Sequence, residues 1–145
     1  MQLCGIIKPH ALPCTREILA LLEAKHAFIL EMKSVRYTNE LVEILYDHMS
    51  ADARTSIAEQ LVGLDGMALL LSVPSIEWFL RVVGRESDPT LCSPNSIRAR
   101  FGAHAEPALV GGEVWWDNAF HRPIDEREAA RDLLYLFNIA SENSD

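Results

Sequence analysis

Long hydrophobic runs are missing from this sequence. No apolar stretch reaches the ~18 residues that a membrane-spanning helix needs. The longest candidate, residues 67–73, suits a buried strand. Cysteine is sparse: Cys4, Cys14 and Cys92 are odd in number and widely spaced, with no C-x-x-C pair. A disulfide framework is therefore not expected. The histidines His10, His26, His48, His104 and His121 contain no i, i+4 pair, so a Cys/His metal site is not expected either. Positive charge is in deficit, with a formal net charge of −8. That balance disfavours a general nucleic-acid partner, whose phosphate backbone selects basic faces. No Walker A pattern and no G-x-G-x-x-G is present. If phosphate is bound, side chains must supply the positive charge. A small phosphorylated ligand stays open, because a few cations make a local positive pocket on an acidic protein.

What is present fits one globular domain. The chain has 145 residues, 49% of them hydrophobic, enough for a sizeable core and too many for disorder. Residues 2–7 read as a strand buried on both faces. They lack a basic flank and are cut short by Lys8, which argues against a signal peptide and makes the cytoplasm the default expectation. The domain is placed at residues 1–140, with a polar, fraying tail at 141–145.

Periodicity and turn residues predict the remaining elements. Pro9 and Pro13 mark a loop, and Thr15 is the expected N-cap of a helix to about Lys25. Residues 28–37 read as a strand with an irregularity near Ser34. Thr38 caps a second helix, and a third surrounds Ile57 and Leu61. The strand 67–73 ends at Pro74 and Ser75, which start a helix to about Gly84 with Glu77 in its first turn, where an acid suits the helix dipole. A loop at 87–95, a short helix at 96–101, a long connection at 102–117 with a Gly111-Gly112 pair, and a short strand at 119–121 follow. The last helix runs from Glu126 to about Asn138. Asp125 is its N-cap, and Glu128 completes an Asp-x-x-Glu capping pattern. This order predicts an α+β fold of the ferredoxin-like, split βαβ type: a four-stranded antiparallel sheet with helices packed on a face.

The chemistry centres on residues 115–123, which place His121 just before that final helix. Imidazole is a capable nucleophile near neutral pH, so His121 is read as a phosphoryl acceptor. The plainer alternative is a solvated turn histidine. Candidate phosphate grips are Lys8, Arg81 and Arg98, each beside a turn signal. Guanidinium suits a bidentate grip on phosphate oxygens, and ammonium acts as a point charge.

Several motifs recur in one order: Ile6-Ile7-Lys8-Pro9-His10, Tyr46, Arg81, Ser87-Asp88-Pro89, Pro94-Asn95-Ser96-Ile97-Arg98 and Asn118-Ala119-Phe120-His121. Together, from Met1 to about Asn138, they resemble a nucleoside diphosphate kinase. The run Pro9-His10-Ala11 is similar to divergent kinase-like domains of ciliary and axonemal proteins. The resemblance implies that His121 becomes the phosphohistidine and that Asn118 lies beside it, binding sugar and phosphate. It implies that Lys8 and Tyr46 steady the transferring phosphoryl. Arg98 would hold the terminal phosphate, and Arg81 with Ser87 the inner ones. Mg²⁺ would arrive with the nucleotide, with no protein metal site.

The same resemblance shows where the chain departs from the pattern. The family's carboxylate in the final helix is a glutamate; Asp132 stands at the matching place. The family's serine after the nucleophile is replaced by Pro123. Where the family stacks the nucleobase on a phenylalanine, residues 52–55 offer only Arg54, by its guanidinium plane. Arg100 replaces an acidic residue. In the family the region of 102–117 helps build oligomers, so a homo-oligomer or an assembly partner is expected there. Trp115 and Trp116 either anchor such a partner or cover the core.

Two functions follow as expectations. The first is a ping-pong nucleoside diphosphate kinase acting on nucleoside tri- and diphosphates through His121. The second is a kinase-derived nucleotide-binding or interaction module of a ciliary or cytoskeletal assembly, with weak or absent turnover. The expected location is cytoplasmic or ciliary.

Overall fold

The computed structural model describes residues 1–102 and 108–140. Its sheet is built from β1 (Gln2–Ile7), β2 (Phe28–Arg36), β3 (Asp65–Ser72) and β6 (Phe120–His121), in the order β2-β3-β1-β6 with every neighbour antiparallel. The expected four-stranded α+β architecture is what the chain adopts. The sheet irregularity falls between Ile29 and Glu31 rather than near Ser34. A single extra residue there, Leu30, shifts the register.

Helices cover both faces of the sheet, not one. Leu3, Ile7, Leu69 and Leu71 pack with α1 (Thr15–Ala24) and α4 (Ile76–Val83). Cys4, Ile6, Ala68 and Leu70 pack with α2 (Asn39–Leu45), α3 (Ala51–Leu61) and α6 (Glu126–Phe137). Alternation in β1 and β3 sends odd residues to one core and even residues to the other, so both central strands read as continuous apolar runs. At the sheet edge, β2 leaves Phe28, Leu30 and Met32 exposed.

Side-chain caps start the helices where the sequence signals them. The Thr38 hydroxyl accepts from the Leu41 N–H at 3.1 Å, Ser75 from Trp78 at 3.1 Å, and Asp125 from Glu128 at 2.8 Å. Glu128 accepts from the Ile124 N–H at 3.3 Å, one residue before the position a capping box would use. Thr15 is not a cap. A 3₁₀ turn at Pro9–Cys14 runs straight into α1, and the Thr15 hydroxyl donates to the Leu12 carbonyl at 2.6 Å.

The 102–117 connection contains a hairpin. Strands β4 (Ala108–Val110) and β5 (Glu113–Trp115) flank Gly111 and Gly112, at φ 55° and 80°. Two consecutive positive φ values suit the twist of a two-residue hairpin turn. A Cβ on Gly111 would lie 2.3 Å from the Ala53 backbone nitrogen, so the turn sits tightly on the start of α3. Residues 103–107 and the expected tail at 141–145 lie outside the described residues.

Candidate active site

Strand β6 carries His121 into the sheet, pairing it with Ile6. The close approach requires a residue without a side chain opposite. A Cβ on Gly5 would fall 2.2 Å from the Phe120 ring and 2.9 Å from the His121 carbonyl oxygen. His121 is buried rather than a solvated turn residue, with 7% of its surface exposed. Its Nε2 lies 3.0 Å from Oδ2 of Asp132, one face of α6 reaching across to β6. Asp132 is fully buried, and its Oδ1 is held by Arg131 Nε at 2.8 Å. An ionised carboxylate there places the ring proton on Nε2 and leaves the Nδ1 lone pair free. Burial pushes the imidazole below its ordinary pKa; Asp132 pulls it up, and Lys8 pushes it down again. The net lowering favours the neutral ring.

In front of the imidazole lies a cavity of about 570 Å³, whose polar lining includes Lys8, Tyr46, Arg98, Asn118 and Arg122. Lys8, Arg98 and Arg122 are buried. Among the described residues none of the three forms a salt bridge with a carboxylate. Arg98 donates through Nε and Nη2 to the Phe120 carbonyl at 3.3 and 3.0 Å, and through Nη1 to the Glu86 carbonyl at 2.9 Å. Arg122 donates to the carbonyls of Gly84 and Arg85 at 3.2 and 2.7 Å. The Lys8 Nζ sits 4.5 Å above the Trp115 ring, a cation–π contact. Burial, then Arg98, push the Lys8 ammonium down to about 7, against the pull of Asp117. Burial likewise lowers Arg98 to about 9, and lowers Arg122. Buried cations without a counter-charge are costly, so the cavity is electrostatically matched to an anion.

In the cavity lining, two buried polar atoms also lack hydrogen-bond partners among the described residues: the Tyr46 hydroxyl and Asn118 Oδ1. Asn118 Nδ2 donates to the Ser87 carbonyl at 3.0 Å, which fixes the side chain. Tyr46 stands edge-on to Trp115 at 5.1 Å and to His121 at 6.3 Å. Trp115 is thus a buried cover over Lys8 and Tyr46, while Trp116 is half-buried and lines the cavity.

The family model for nucleoside diphosphate kinase matches residues 2–141. The chain belongs to the nucleoside diphosphate kinase family. Among solved structures, it is similar to the nucleoside-diphosphate kinase of Borrelia burgdorferi, captured as a transition-state mimic with vanadate and ADP, at 18% identity, TM-score 0.78, and 100% and 92% coverage of this chain and that one. The Aquifex aeolicus nucleoside diphosphate kinase follows at 23% identity, TM-score 0.75 and 94% coverage of each chain. That of Encephalitozoon cuniculi has 18% identity, TM-score 0.77, and 95% and 89% coverage. At these identities the structures establish the shared fold. No curated protein matches significantly in sequence.

Of the residues singled out in the sequence of this family member, Lys8, Tyr46, Ser87, Arg98, Asn118 and His121 line one cavity, and Asp132 supports it from behind. Arg81 and Arg54 do not join them. Arg81 is exposed in the last turn of α4 and does not line the cavity; Arg85, just beyond the helix end, does. Arg85 also pairs with Glu77. Arg54 is bound to Glu43 at 2.8 Å and to the carbonyl of Met49, a lining residue, but does not itself line the cavity. Sequence reasoning missed Arg85 and Arg122. Both have a local signal, since Arg85 follows the helix-ending Gly84 and Arg122 follows His121. Among the described residues no group of three His, Cys, Asp or Glu is arranged to hold a metal ion, and no helix is long and apolar enough to cross a membrane.

Proposed function

We propose that this chain is an active nucleoside diphosphate kinase that works through a phosphohistidine on His121. The observation that carries this reading is a buried imidazole, held through Nε2 by Asp132, at the wall of a cavity lined by three buried basic side chains, Lys8, Arg98 and Arg122, none of them salt-bridged to a carboxylate among the described residues. Nδ1 attacks the γ-phosphorus of a nucleoside triphosphate. The bond from that phosphorus to the β,γ-bridging oxygen breaks, and the diphosphate leaves with the electron pair. A β-phosphate oxygen of a second diphosphate then attacks the phosphorus. The P–N bond breaks, and its electrons return to Nδ1. Lys8, Arg98 and Arg122 face the charge that spreads over the transferring oxygens, and Tyr46 and Asn118 supply the unpartnered polar atoms beside them. Mg²⁺ enters as part of the nucleotide substrate, on its phosphates.

A second reading draws on the three Arg98 donors already bound to main-chain carbonyls. It treats the chain as a kinase-derived nucleotide-binding or interaction module of a ciliary or cytoskeletal assembly, with weak or absent turnover, docking or self-associating through 102–117. The exposure of Leu109 and Val114 on the hairpin supports such a contact.

The separating experiment is incubation with γ-labelled ATP and Mg²⁺, followed by a chase with a second nucleoside diphosphate. The kinase reading expects acid-labile, alkali-stable label that moves to the diphosphate and is absent from His121→Ala. A folded chain that takes no label leaves the module reading.

A further inference from the structure

His10 has no role in the reaction described above, yet it touches the segment that presents the site. It lies in the 3₁₀ turn after β1, and its Nε2 accepts a hydrogen bond from the Ala119 backbone N–H at 3.0 Å. Ala119 is fully buried and stands at φ +72°, a left-handed conformation that is strained for a residue with a Cβ. The Phe120 N–H donates to the Asn118 carbonyl at 2.9 Å, closing a three-residue turn around Ala119. The Ala119 carbonyl accepts from the Lys8 N–H at 2.8 Å. Both backbone polar groups of the strained residue are therefore tied to the 8–10 segment. The turn they hold has Asn118 on one side and His121 two residues beyond.

We infer that His10 is a positioning residue: its imidazole, as acceptor for the Ala119 amide, holds the turn that aims Asn118 and His121, and protonation of that ring releases the turn. As acceptor, Nε2 must be unprotonated, with the ring proton on Nδ1. A proton on Nε2 sets donor against donor and leaves a buried amide without a partner. His10 is exposed, so solvent protons reach it without unfolding. The charged groups facing it are Asp117, which favours the protonated ring, and Lys8, which opposes it; partial burial of the ring outweighs both and lowers its pKa. The bond is accordingly present at neutral pH and breaks on acidification.

The consequence for phosphoryl transfer rests on the proposed kinase activity, but the linkage itself is measurable without turnover. Amide exchange at Ala119, followed by NMR between about pH 5 and pH 8, reads it. In the native chain the protection factor is expected to fall roughly tenfold as His10 titrates. In His10→Asn, whose amide oxygen accepts without titrating, protection persists across the range. In His10→Ala it is lost at every pH. Ala119 protection that is unchanged by pH in the native chain, or that falls equally in His10→Asn, overturns the inference. Should His10→Ala fail to fold, the comparison of native chain and His10→Asn still decides. A chain that takes no phosphate while its Ala119 amide follows His10 removes the kinase reading and supports this one. Normal phosphorylation with an Ala119 amide indifferent to His10 does the reverse.

Discussion

Asp132 and His121 are separated by 11 positions in the chain and by 3.0 Å between Oδ2 and Nε2. The carboxylate is itself held, since Arg131 bonds its other oxygen at 2.8 Å and also reaches Oδ1 of Asp47 at 3.2 Å. The imidazole is thus oriented by a buried acid whose own position is fixed from the surface inwards. Asp132→Asn keeps the shape and removes the charge. A charge-assisted hydrogen bond contributes about 1.5–3 kcal/mol, so the rate of phosphohistidine formation should fall by about ten- to a hundredfold. Rapid-quench labelling with an unchanged circular dichroism spectrum is the check, and an unaltered rate removes Asp132 from the mechanism.

Lys8 makes the pH dependence testable. Its folded-state pKa of about 7 lies below the ordinary 10.5. For a group depressed in this way, the stabilisation is present above the unfolded value and is lost as pH falls towards the folded one. Stability attributable to Lys8 therefore declines as pH drops from about 10.5 to about 7. An anion in the cavity reverses the situation by favouring the ammonium. Nucleotide binding about one unit above that folded value should take up close to one proton. Calorimetry in buffers of different ionisation enthalpy measures this uptake, and its absence places the phosphate elsewhere. Lys8→Met should bind nucleotide at least tenfold more weakly, yet melt at a higher temperature at neutral pH.

The placement of the arginines separates three variants. Arg81→Ala should leave nucleotide affinity within about twofold, whereas Arg85→Ala should weaken it roughly tenfold. Arg98→Ala should lower affinity more at low than at high salt, because its contact with phosphate is electrostatic. It should also destabilise the fold by about 1–3 kcal/mol, since the Phe120 and Glu86 carbonyls lose their donors. Titrations at two ionic strengths, with denaturant melts, distinguish these outcomes.

Gly111 ties the hairpin to α3. Gly111→Val combines a disfavoured φ of 55° with a Cβ that meets the Ala53 backbone. A loss of about 1–3 kcal/mol is expected. Because Trp115 ends β5 and covers Lys8, the same variant should also increase tryptophan quenching by acrylamide. Unchanged quenching would show that the cover does not depend on the turn.

Local signals made much of the fold legible. Thr38 and Asp125 cap the helices expected of them, because a cap is a contact between a side chain and a backbone amide three residues away. The apolar run of β1 announced a strand buried on both faces, and that of β3 a buried strand. Thr15 misled, because its hydroxyl is taken by the Leu12 carbonyl of the preceding 3₁₀ turn. Gly111-Gly112 was visible as a pair, but its hairpin required strands whose pairing is not encoded in periodicity over three residues.

The sequence by itself determined the order of the four sheet strands and the main helices, and the residue types from which an anion-binding, histidine-centred site can be assembled. Hydrophobic alternation, capping and turn chemistry act within a few positions, and those are readable along a chain. Tertiary structure alone decided that Arg85 rather than Arg81 faces the cavity, that Asp132 meets Nε2 of His121, and that His10 holds an amide 109 positions away. Such contacts depend on how two faces of one sheet are covered and how strands register. Burial, which lowers the pKa values of Lys8 and His121, exists only once those layers have closed.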